Sequence, residues 1–539
     1  MFRESSQKKL DRIRPPRVHI LYEVETSDTI EAREVAFVIG VMGDYSGAAE
    51  RPRFSKRSFR QIDFDSFDQV MAELQPRARF QIPSSLAGGE MTVELNFRAL
   101  ADFEPESVIG QIAALDGLRK SGSPEELQVL ARHLDRVLHA PEFQALESSW
   151  RSLWQLIWRS ETGISLQIKL LDVSRHELLR DFQRAPEFDQ SRLFKLLYEE
   201  PYGQRDQNPF GLLVGDFAFG PSAEDTELLG YLGRIAHACH APFIAAAAPS
   251  MFGLESFRSL PAVRDPARVL EAPEFAPWRA FRNSEEARYV GLTLPRSLVR
   301  GPYGRRPEAP GELPYEEGFR GGEDLLWGSA AFPFAACVAN AFARQGWCGA
   351  IRGVEGGGLV EGLPTWVSRM KGEREERSAL ETGLTDLREK ELSSLGFLPL
   401  VAVPNTDYAA FFSVSSCASP KQYADDAANM NSRLSCQLPY VLTASRFVHY
   451  LKVMARDNVG SYHTRGDWES YFNSWISRYV MLDDNASPTI QAKKPLHEAW
   501  VDVAEDSGRP GSYRVVAFLR PTFQLDELTI SLRVVTQIP

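Results

Sequence analysis

The stretch "EVAFVIGVMGD", residues 34–44, sets the fold class of this chain. It is a nearly continuous apolar run that ends in a Gly-Asp turn, a pattern typical of a strand buried on both faces. Similar strands recur in "SLQIKLLDV" (165–173), "FGLLVGDF" (210–217) and "PFIAAAA" (242–248). Helical patterns separate them. The sequence therefore predicts a mixed α/β fold of several layers, with mixed sheets and some parallel strand pairing.

A helix-start signal places the main junction. "SPEE" at 123–126 offers a serine N-cap, a proline suited to the first helical position and a glutamate that completes a capping box. The preceding text, 101–122, is only weakly periodic and ends in Lys-Ser-Gly. We therefore divide the chain into two regions, residues 1–122 and residues 123–539.

The C-terminal third combines long helices with closing strands. Periodicity predicts helices at 323–346, 421–458 and 467–482, followed by a strand hairpin at about 512–536. "VHILYEVE" at 18–25 is also strand-forming, so the chain begins and ends in strands. Unpaired edge strands are a liability unless they are covered, and one way to use them is to share them with a neighbouring molecule.

Composition excludes several classes of protein. The net charge of −11 argues against nucleic acid as the main partner, because duplex binding needs a basic face. The five cysteines are scattered and never form CxxC, which favours a reducing compartment. Residues 1–16 lack the apolar core of a secretory signal, and the apolar stretch 438–455 contains Arg446, His449 and Lys452. These features predict a cytoplasmic protein without membrane insertion.

The glycine-dense stretch "IRGVEGGGLVEGLP" (351–364) invites a nucleotide-binding interpretation. A P-loop requires GxxxxGK[ST], but Leu363 and Pro364 stand where the lysine and hydroxyl belong. A dinucleotide fingerprint requires GxGxxG, but Glu361 replaces the third glycine. The stretch therefore predicts a structural tight turn. The residues assigned to the turn and to buried or inter-subunit ion pairs are Arg352, Glu355, Gly356, Gly357, Gly358 and Glu361.

Two further motifs fall short of a chemical site. "HACH" (237–240) offers two imidazoles but lacks the third ligand that zinc needs, so helix-end packing or capping is the default. "GDYSG" (43–47) is GxxSG rather than the GxSxG of a nucleophile elbow, and it predicts a turn. We expect no catalytic residues, no cofactor and no metal, and therefore no enzyme.

Longer stretches resemble the contractile sheath of type VI secretion. "SSQKKLDRIRPPRVHILYEVE", "FVIGVMGDYSG" and "TVELNFRALADFEPESV" resemble its small subunit (TssB/VipA-like). From about residue 136 the chain resembles the large subunit (TssC/VipB-like), as in "HAPFIAAAAPSMFGLESF", "WCGAIRGVEGGGLVEGLP" and "YRVVAFLRPTFQLDELTISLRVV". The resemblance covers nearly the whole chain and indicates that the two subunits are fused.

The resemblance implies a structural subunit that polymerises around an inner tube and contracts to expel it. In that family, copies interlock by sharing strands, with the N-terminal strand of the small subunit joining the C-terminal hairpin of a neighbouring large subunit. Carried over, the donated strand contains Val18, Ile20, Tyr22 and Val24. The receiving hairpin contains Val515, Ala517, Leu519, Ile530, Leu532 and Val534.

The resemblance also implies partners. These are further copies in a helical sheath, an inner-tube ring protein (Hcp-like), and baseplate and cap components. The N-terminal extension of the large subunit, which the AAA+ recycling unfoldase recognises in the family, is largely missing at the junction. Unfoldase recycling is therefore in doubt for this chain.

Other interpretations remain open at this stage. One is a sheath-like cap or baseplate adaptor that does not polymerise, which the abrupt junction favours. Another is a nucleotide-dependent enzyme that uses the glycine-rich loop at 353–362. A third is that the fusion was made in the laboratory.

Overall fold

The structure is a computed structural model of the chain. It describes residues 22–26, 29–84, 89–121, 123–204, 207–304, 315–319, 322, 324–370, 373–377, 379–403, 406, 408–458, 464–481, 494–505, 513–521 and 532–538.

Strands and helices are numbered in chain order. The strands are β1 (Tyr22–Thr26), β2 (Thr29–Arg33), β3 (Phe37–Gly43), β4 (Arg60–Ile62), β5 (Arg77–Ser84), β6 (Gly89–Asn96), β7 (Leu166–Asp172), β8 (Phe210–Phe219), β9 (Phe243–Ala247), β10 (Val290–Leu294), β11 (Ser297–Leu298), β12 (Trp327–Gly328), β13 (Leu359–Val360), β14 (Trp366–Met370), β15 (Glu373–Arg377), β16 (Phe397–Ala402), β17 (Ala409–Phe411), β18 (Leu496–Glu505), β19 (Tyr513–Pro521) and β20 (Leu532–Ile538). The helices are α1 (Phe67–Leu74), α2 (Pro105–Gln111), α3 (Ala113–Ser121), α4 (Pro124–Leu138), α5 (Pro141–Trp158), α6 (Arg175–Arg184), α7 (Arg192–Phe194), α8 (Glu200–Gly203), α9 (Ala223–Cys239), α10 (Pro266–Leu270), α11 (Ala276–Arg282), α12 (Ala331–Gln345), α13 (Asp386–Ser394), α14 (Asp426–Ser435), α15 (Leu438–Asp457) and α16 (Arg465–Ile476).

A nine-stranded mixed sheet organises the molecule, in the order β13-β17-β16-β10-β9-β8-β3-β7-β4. Its central strands run parallel, from β7 through β3, β8, β9 and β10 to β16. The outer strands β4, β17 and β13 pair antiparallel to their neighbours. The predicted α/β fold with partly parallel pairing is therefore confirmed.

Strand β3 lies at the centre of this sheet and joins the two predicted regions. It belongs to residues 1–122, yet it pairs with β7 on one side and β8 on the other, both from residues 123–539. All seven of its residues are buried, as expected of a strand covered on both faces. The two regions therefore share one sheet, whatever the sequence position of their junction.

The alternating side chains of β3 divide the core into two layers. Ile39 and Val41 pack into a cluster that includes α5 and α12. Val38 and Met42 point to the opposite face, into a cluster that includes α9 and α11. This alternation follows from the two-residue period of a strand.

A third cluster forms beside the main sheet. Helices α15 and α16 pack against the small antiparallel sheet β18-β19-β20, and Tyr22 of β1 joins the same cluster. Helix α15 is buried along nearly its whole length. Its polar side chains must therefore find partners inside the protein.

Several predicted element boundaries are wrong for local reasons. The helix expected at 323–346 begins only at Ala331, because Trp327 and Gly328 pair with β11 as a short strand. The helix expected at 421–458 is two helices, α14 and α15, and Pro439, which has no N–H to donate, lies in the first turn of the second. The helix start at Ser123 is as predicted, since the Ser123 hydroxyl accepts from the amide of Glu126. The Glu126 carboxylate accepts from the Ser123 hydroxyl at 3.0 Å, which is not the bond to the Ser123 amide that the predicted capping box needs.

Candidate assembly site and the glycine-rich turn

The C-terminal sheet contains the predicted receiving strands. In β19, Val515 pairs with Val503 of β18 and with Thr536 of β20, so both edges of β19 are occupied. Within the described residues, the sheet order leaves β18 and β20 as the outer strands. The outer edge of β18 is already bonded, at Val501 by Asn473 and at Leu496 by Met481. An added strand would therefore pair with β20, and not with β19 or β18.

The predicted residues of β19 form the base of this sheet. Val515, Ala517 and Leu519 are buried at 0%, 1% and 0% exposure. They pack in the cluster that contains Phe447 of α15 and Trp475 of α16. The inner face of the sheet is therefore packed against α15 and α16, and β18 and β20 form its two edges.

Strand β18 was not predicted from the sequence. Its inner face contains Val501 and Val503, which are buried, and the intervening Asp502 is exposed. This two-residue alternation was the available signal. Asn473 of α16 fixes the strand by accepting from the Val501 amide at 2.8 Å and donating to the Val501 carbonyl at 2.7 Å.

The N-terminal strand β1 forms a hairpin with β2 and contacts α15. Tyr22 is 4% exposed, and its hydroxyl donates to the carboxylate of Asp457 at 2.7 Å. Its ring meets the Tyr450 ring edge-on, with centroids 6.2 Å apart. Burial, together with the hydrogen bond to Asp457, raises the pKa of the Tyr22 phenol well above its usual range.

Arg446 of α15 secures the chain between this hairpin and β3. Its guanidinium donates to the carbonyl of Val35 and, at 3.2 Å, to that of Ala36. The side chain is buried and lies over the rings of Phe342 and Tyr450, at 5.1 and 4.8 Å. Planar stacking combined with several donors suits arginine better than lysine.

The remaining predicted strand residues are only partly within the described structure. Val18, Ile20 and Ile530 lie outside the described residues. Val24, Leu532 and Val534 are placed in β1 and β20 by their backbone. Their part in strand sharing stays a prediction.

The glycine-rich stretch forms a compact turn against β17. The Gly353 amide donates to the Phe411 carbonyl at 2.7 Å, and the Phe411 amide donates to the Gly358 carbonyl at 3.0 Å. Gly357 has φ +87°, and a Cβ there would lie 2.2 Å from the Ala350 carbonyl oxygen. The glycines thus allow close backbone approach, and the interior of the turn is filled by the chain's own carbonyls.

The charged residues of this turn lie at its surface. Glu355 and Glu361 are exposed and Arg352 is half-buried. The two carboxylates therefore do not form ion pairs buried within one chain. The alternative, that they pair with a neighbouring subunit, stays a prediction.

The "HACH" motif ends helix α9. His240 has φ +53° at the helix C-cap, and burial holds its pKa well below the usual range. Two basic residues of α15 reach the last carbonyls of α9: His449 Nε2 lies 3.0 Å from the Cys239 oxygen, and Lys452 Nζ donates to the Ala238 oxygen at 3.3 Å. Burial lowers the pKa of His449 to about 3 and that of Lys452 to about 8. These contacts cap α9, as basic groups do at helix C-termini.

The "GDYSG" motif is a turn at the end of β3. The Asp172 carboxylate accepts from the amides of Tyr45 and Ser46, at 2.9 and 3.2 Å, and from the Ser46 hydroxyl at 2.6 Å. Arg51 bonds Asp44 at 3.0 Å and lies 3.5 Å from Asp172. Ser46 therefore serves to join β3 to β7.

An ion network that is buried except at Glu104, whose side chain is 45% exposed, also joins the two predicted regions. Arg151 of α5 pairs with Glu104 at 2.9 Å and with Glu147 at 2.7 Å. Arg300 pairs with Glu147 at 2.8 Å and with Glu317 at 2.7 Å. Burial would raise the pKa of Glu317, but hydrogen bonds and charge from His139 and Arg300 lower it to about 2. Glu104 belongs to the first region and the arginines to the second.

Metal-binding groups, cysteines and membrane-spanning helices were each sought among the described residues. No three His, Cys, Asp or Glu side chains among them are grouped so that they could hold a metal ion. All five cysteines are buried thiols. The helices in the described part of the chain include none long and apolar enough to cross a membrane.

Comparison with known proteins identifies the family. Residues 127–418 match the tail sheath N-terminal domain of the EvpB/VC_A0108 (VipB) family, and residues 427–538 match its tail sheath gpW/gp25-like domain. Residues 10–143 match the type VI secretion system VipA family. The two matches overlap at residues 127–143, so the junction predicted at 122–123 stays a prediction.

Two relatives from Pseudomonas aeruginosa correspond to the two regions. Type VI secretion system sheath protein TssC1 is 40% identical over 416 residues, covering 76% of this chain and 84% of TssC1. Sheath protein TssB1 is 33% identical over 141 residues, covering 26% of this chain and 81% of TssB1. Among solved structures, the contracted helical sheath of the anti-feeding prophage aligns with a TM-score of 0.43 at 10% identity, over 96% of this chain and 98% of that one.

The family-model matches and the two relatives define a structural subunit of a contractile sheath. The chain belongs to the type VI secretion tail sheath family, and it joins the small (TssB/VipA) and large (TssC/VipB) subunits in one polypeptide.

Proposed function

We propose that copies of this chain polymerise into a helical sheath around an inner tube of Hcp-like rings, and that contraction of the sheath expels the tube. The observation that carries the proposal is the C-terminal sheet, whose inner face is buried on α15 and α16 while β18 and β20 are its outer strands. An outer strand on a firm base is a natural acceptor for a strand from a neighbouring copy.

The donated strand in this proposal contains Val18, Ile20, Tyr22 and Val24. Of these residues, the structure describes Tyr22 and Val24, which pair with β2 of the same chain, and Tyr22 also bonds Asp457. Because β19 is occupied on both sides and the outer edge of β18 is bonded by Asn473 and Met481, the acceptor in this proposal is β20. Main-chain hydrogen bonds preserve the register, and the connecting segments let rigid bodies rotate without separating. Contraction then follows from alternative packings of the same bodies.

A structural role also accounts for the glycine-rich turn better than an enzymatic one. Gly356, Gly357 and Gly358 place their backbones against Arg352, Ala350 and Phe411, which leaves the turn closed around its own atoms. We infer that the turn shapes a surface used in packing and that the chain is not an enzyme.

Baseplate and cap components and a cytoplasmic site of assembly complete the proposal, and the family membership supports both. The small- and large-subunit matches overlap at residues 127–143. We infer that the N-terminal extension of the large subunit is largely missing, which makes recycling by the unfoldase doubtful for this chain.

Negative-stain electron microscopy of the purified chain tests the proposal. Tubules, rings or short helical stacks are expected, alone or with the inner-tube protein. Monodisperse single particles under both conditions would favour the alternative, a cap or baseplate adaptor that does not polymerise. Saturable binding of ATP or NAD that is lost in Gly357→Val would instead support an enzyme.

A further inference from the structure

A cavity opens beside the C-terminal end of helix α9. Its volume is about 720 Å³, and its walls include Phe194, Tyr198, His237 and His240, with Lys452 of α15 among the lining side chains. Phe194 and Tyr198 stack with centroids 5.0 Å apart in this lining. His237 stacks on the ring of Tyr289 at 4.9 Å. The lining therefore combines stacked rings with the primary amine of a lysine.

Lys452 is an unusual lysine because it is buried without an anionic partner. Its side chain is 8% exposed, and Nζ donates to the Ala238 carbonyl at 3.3 Å. The rings of Tyr198 and Tyr202 lie 5.0 and 5.1 Å from Nζ. Within the described residues Lys452 forms no ion pair. Burial therefore removes the water that normally solvates an ammonium group and leaves only uncharged groups around it.

This environment raises the share of the neutral amine, which is the nucleophilic form of lysine, above that of an exposed lysine. Burial lowers the pKa of Lys452 to about 8, and the nearby Cys239 thiol opposes the shift only in part. The neighbouring imidazole of His240 is also held neutral by burial, which lowers its pKa. A much larger share of Lys452 than of an exposed lysine is therefore unprotonated at neutral pH.

The charged side chains around the opening determine which molecules can enter the cavity. Glu187, Asp189 and Glu286 line it together with Arg234, which lies 3.8 Å from Glu286. This pairing leaves the exposed carboxylates of Glu187 and Asp189 against one ammonium, that of Lys452, so the lining is net negative and anionic molecules are disfavoured. The aromatic walls suit a flat, uncharged group.

We propose that Lys452 is a site of amine acylation that takes small uncharged acyl esters and thioesters. The Nζ lone pair attacks the acyl carbonyl carbon, an N–C bond forms, and the C–O or C–S bond of the donor breaks. The leaving alcohol or thiol departs with the bonding electrons and takes up the proton that nitrogen loses. The products are an amide on Lys452 and a free alcohol or thiol, with no change of oxidation state.

Acylation would remove a charged contact between helices. The ammonium at the Ala238 carbonyl caps α9 from α15, and an amide has no positive charge to place there. Modification at Lys452 therefore weakens the contact between α9 and α15 and lowers the melting temperature of the chain. This inference concerns the folded chain and does not depend on whether copies polymerise.

The test treats the full chain with limiting 4-nitrophenyl acetate at pH 7 and follows nitrophenolate release and peptide masses. Lys452 is expected to be acetylated about tenfold faster than the exposed Lys390, because its amine fraction is far larger. The rate should rise with a midpoint near pH 8, which is the pKa of Lys452. The fast release should vanish in Lys452→Arg and persist in the matched control Lys390→Arg.

Acetylation of Lys390 ahead of Lys452, or a fast phase that survives in Lys452→Arg, would overturn the proposal. If Lys452→Arg does not fold, the ratio of acetylated peptides in the unmodified sequence decides the question by itself.

Discussion

The hydroxyl of Tyr22 donates a 2.7 Å hydrogen bond to the carboxylate of Asp457, a residue 435 positions further along the chain. This contact ties the first described strand to the end of α15. It joins the small-subunit region to the helix that supports the C-terminal sheet.

The first prediction removes that contact. Tyr22→Phe should lower the free energy of unfolding by about 1–2 kcal/mol, because the buried Asp457 loses a donor but keeps Arg456 at 2.8 Å. Urea denaturation measures the change. Tyr423→Phe, at a tyrosine that is 51% exposed, is the control and should change little. An equal loss in both variants would show that the contact contributes nothing specific.

The second prediction concerns the arginine beside β3. Arg446→Lys should destabilise the chain by about 3 kcal/mol. A lysine cannot donate hydrogen bonds to the carbonyls of Val35 and Ala36 and stack on the Phe342 ring at the same time. Denaturant midpoints compare it with Arg53→Lys, at an exposed arginine. A stability equal to that of the parent chain would show that Arg446 does not hold β3 in place.

The third prediction is a loss of stability in mild acid. Burial lowers the pKa of His449 to about 3. Below about pH 6.5 this histidine is therefore protonated in the unfolded chain but stays neutral in the folded chain. Stability is therefore fully present above pH 6.5 and falls by about 1.4 kcal/mol per pH unit for this group below it.

His449→Gln isolates that contribution, measured as the slope of unfolding free energy between pH 6.5 and 5. Burial raises the pKa of Asp216 to about 6, so this group stabilises the folded chain as the pH falls. It contributes equally to the slopes of the parent chain and of His449→Gln, and it cancels when one slope is subtracted from the other. An unchanged slope in His449→Gln would contradict the assignment.

The fourth prediction tests the glycine-rich turn. Gly357→Ala should cost about 2 kcal/mol or more, because its φ is +87° and the new Cβ would meet the Ala350 carbonyl at 2.2 Å. Gly110→Ala in α2 is the control: nothing lies within 4 Å of its Cβ position, so it should be neutral or stabilising. Thermal unfolding of the two variants distinguishes a strained turn from a tolerant loop.

The sequence predicted features that depend on neighbouring residues in the chain. β3 was recognisable from its apolar run, and α4 from the Ser123 cap. The glycine-rich stretch was predicted to be a tight turn because it lacks the residues of a phosphate loop at fixed spacing, and the structure has a compact turn there.

What the sequence could not predict depends on contacts between distant segments. The position of β3 between β7 and β8 is set by a core assembled from both regions. The capping of α9 by His449 and Lys452 requires knowing that α15 crosses its end. The occupation of both edges of β19, which leaves β20 as the acceptor, depended on recognising β18.

The most direct test of the central claim compares two deletions by electron microscopy and sedimentation. Removal of residues 1–25 takes away the proposed donated strand, whereas removal of residues 1–15 leaves it. We predict that the shorter deletion still forms tubules while the longer one stays folded, by circular dichroism, but does not assemble. Normal tubules from the chain that lacks residues 1–25 would contradict strand sharing as the basis of the sheath.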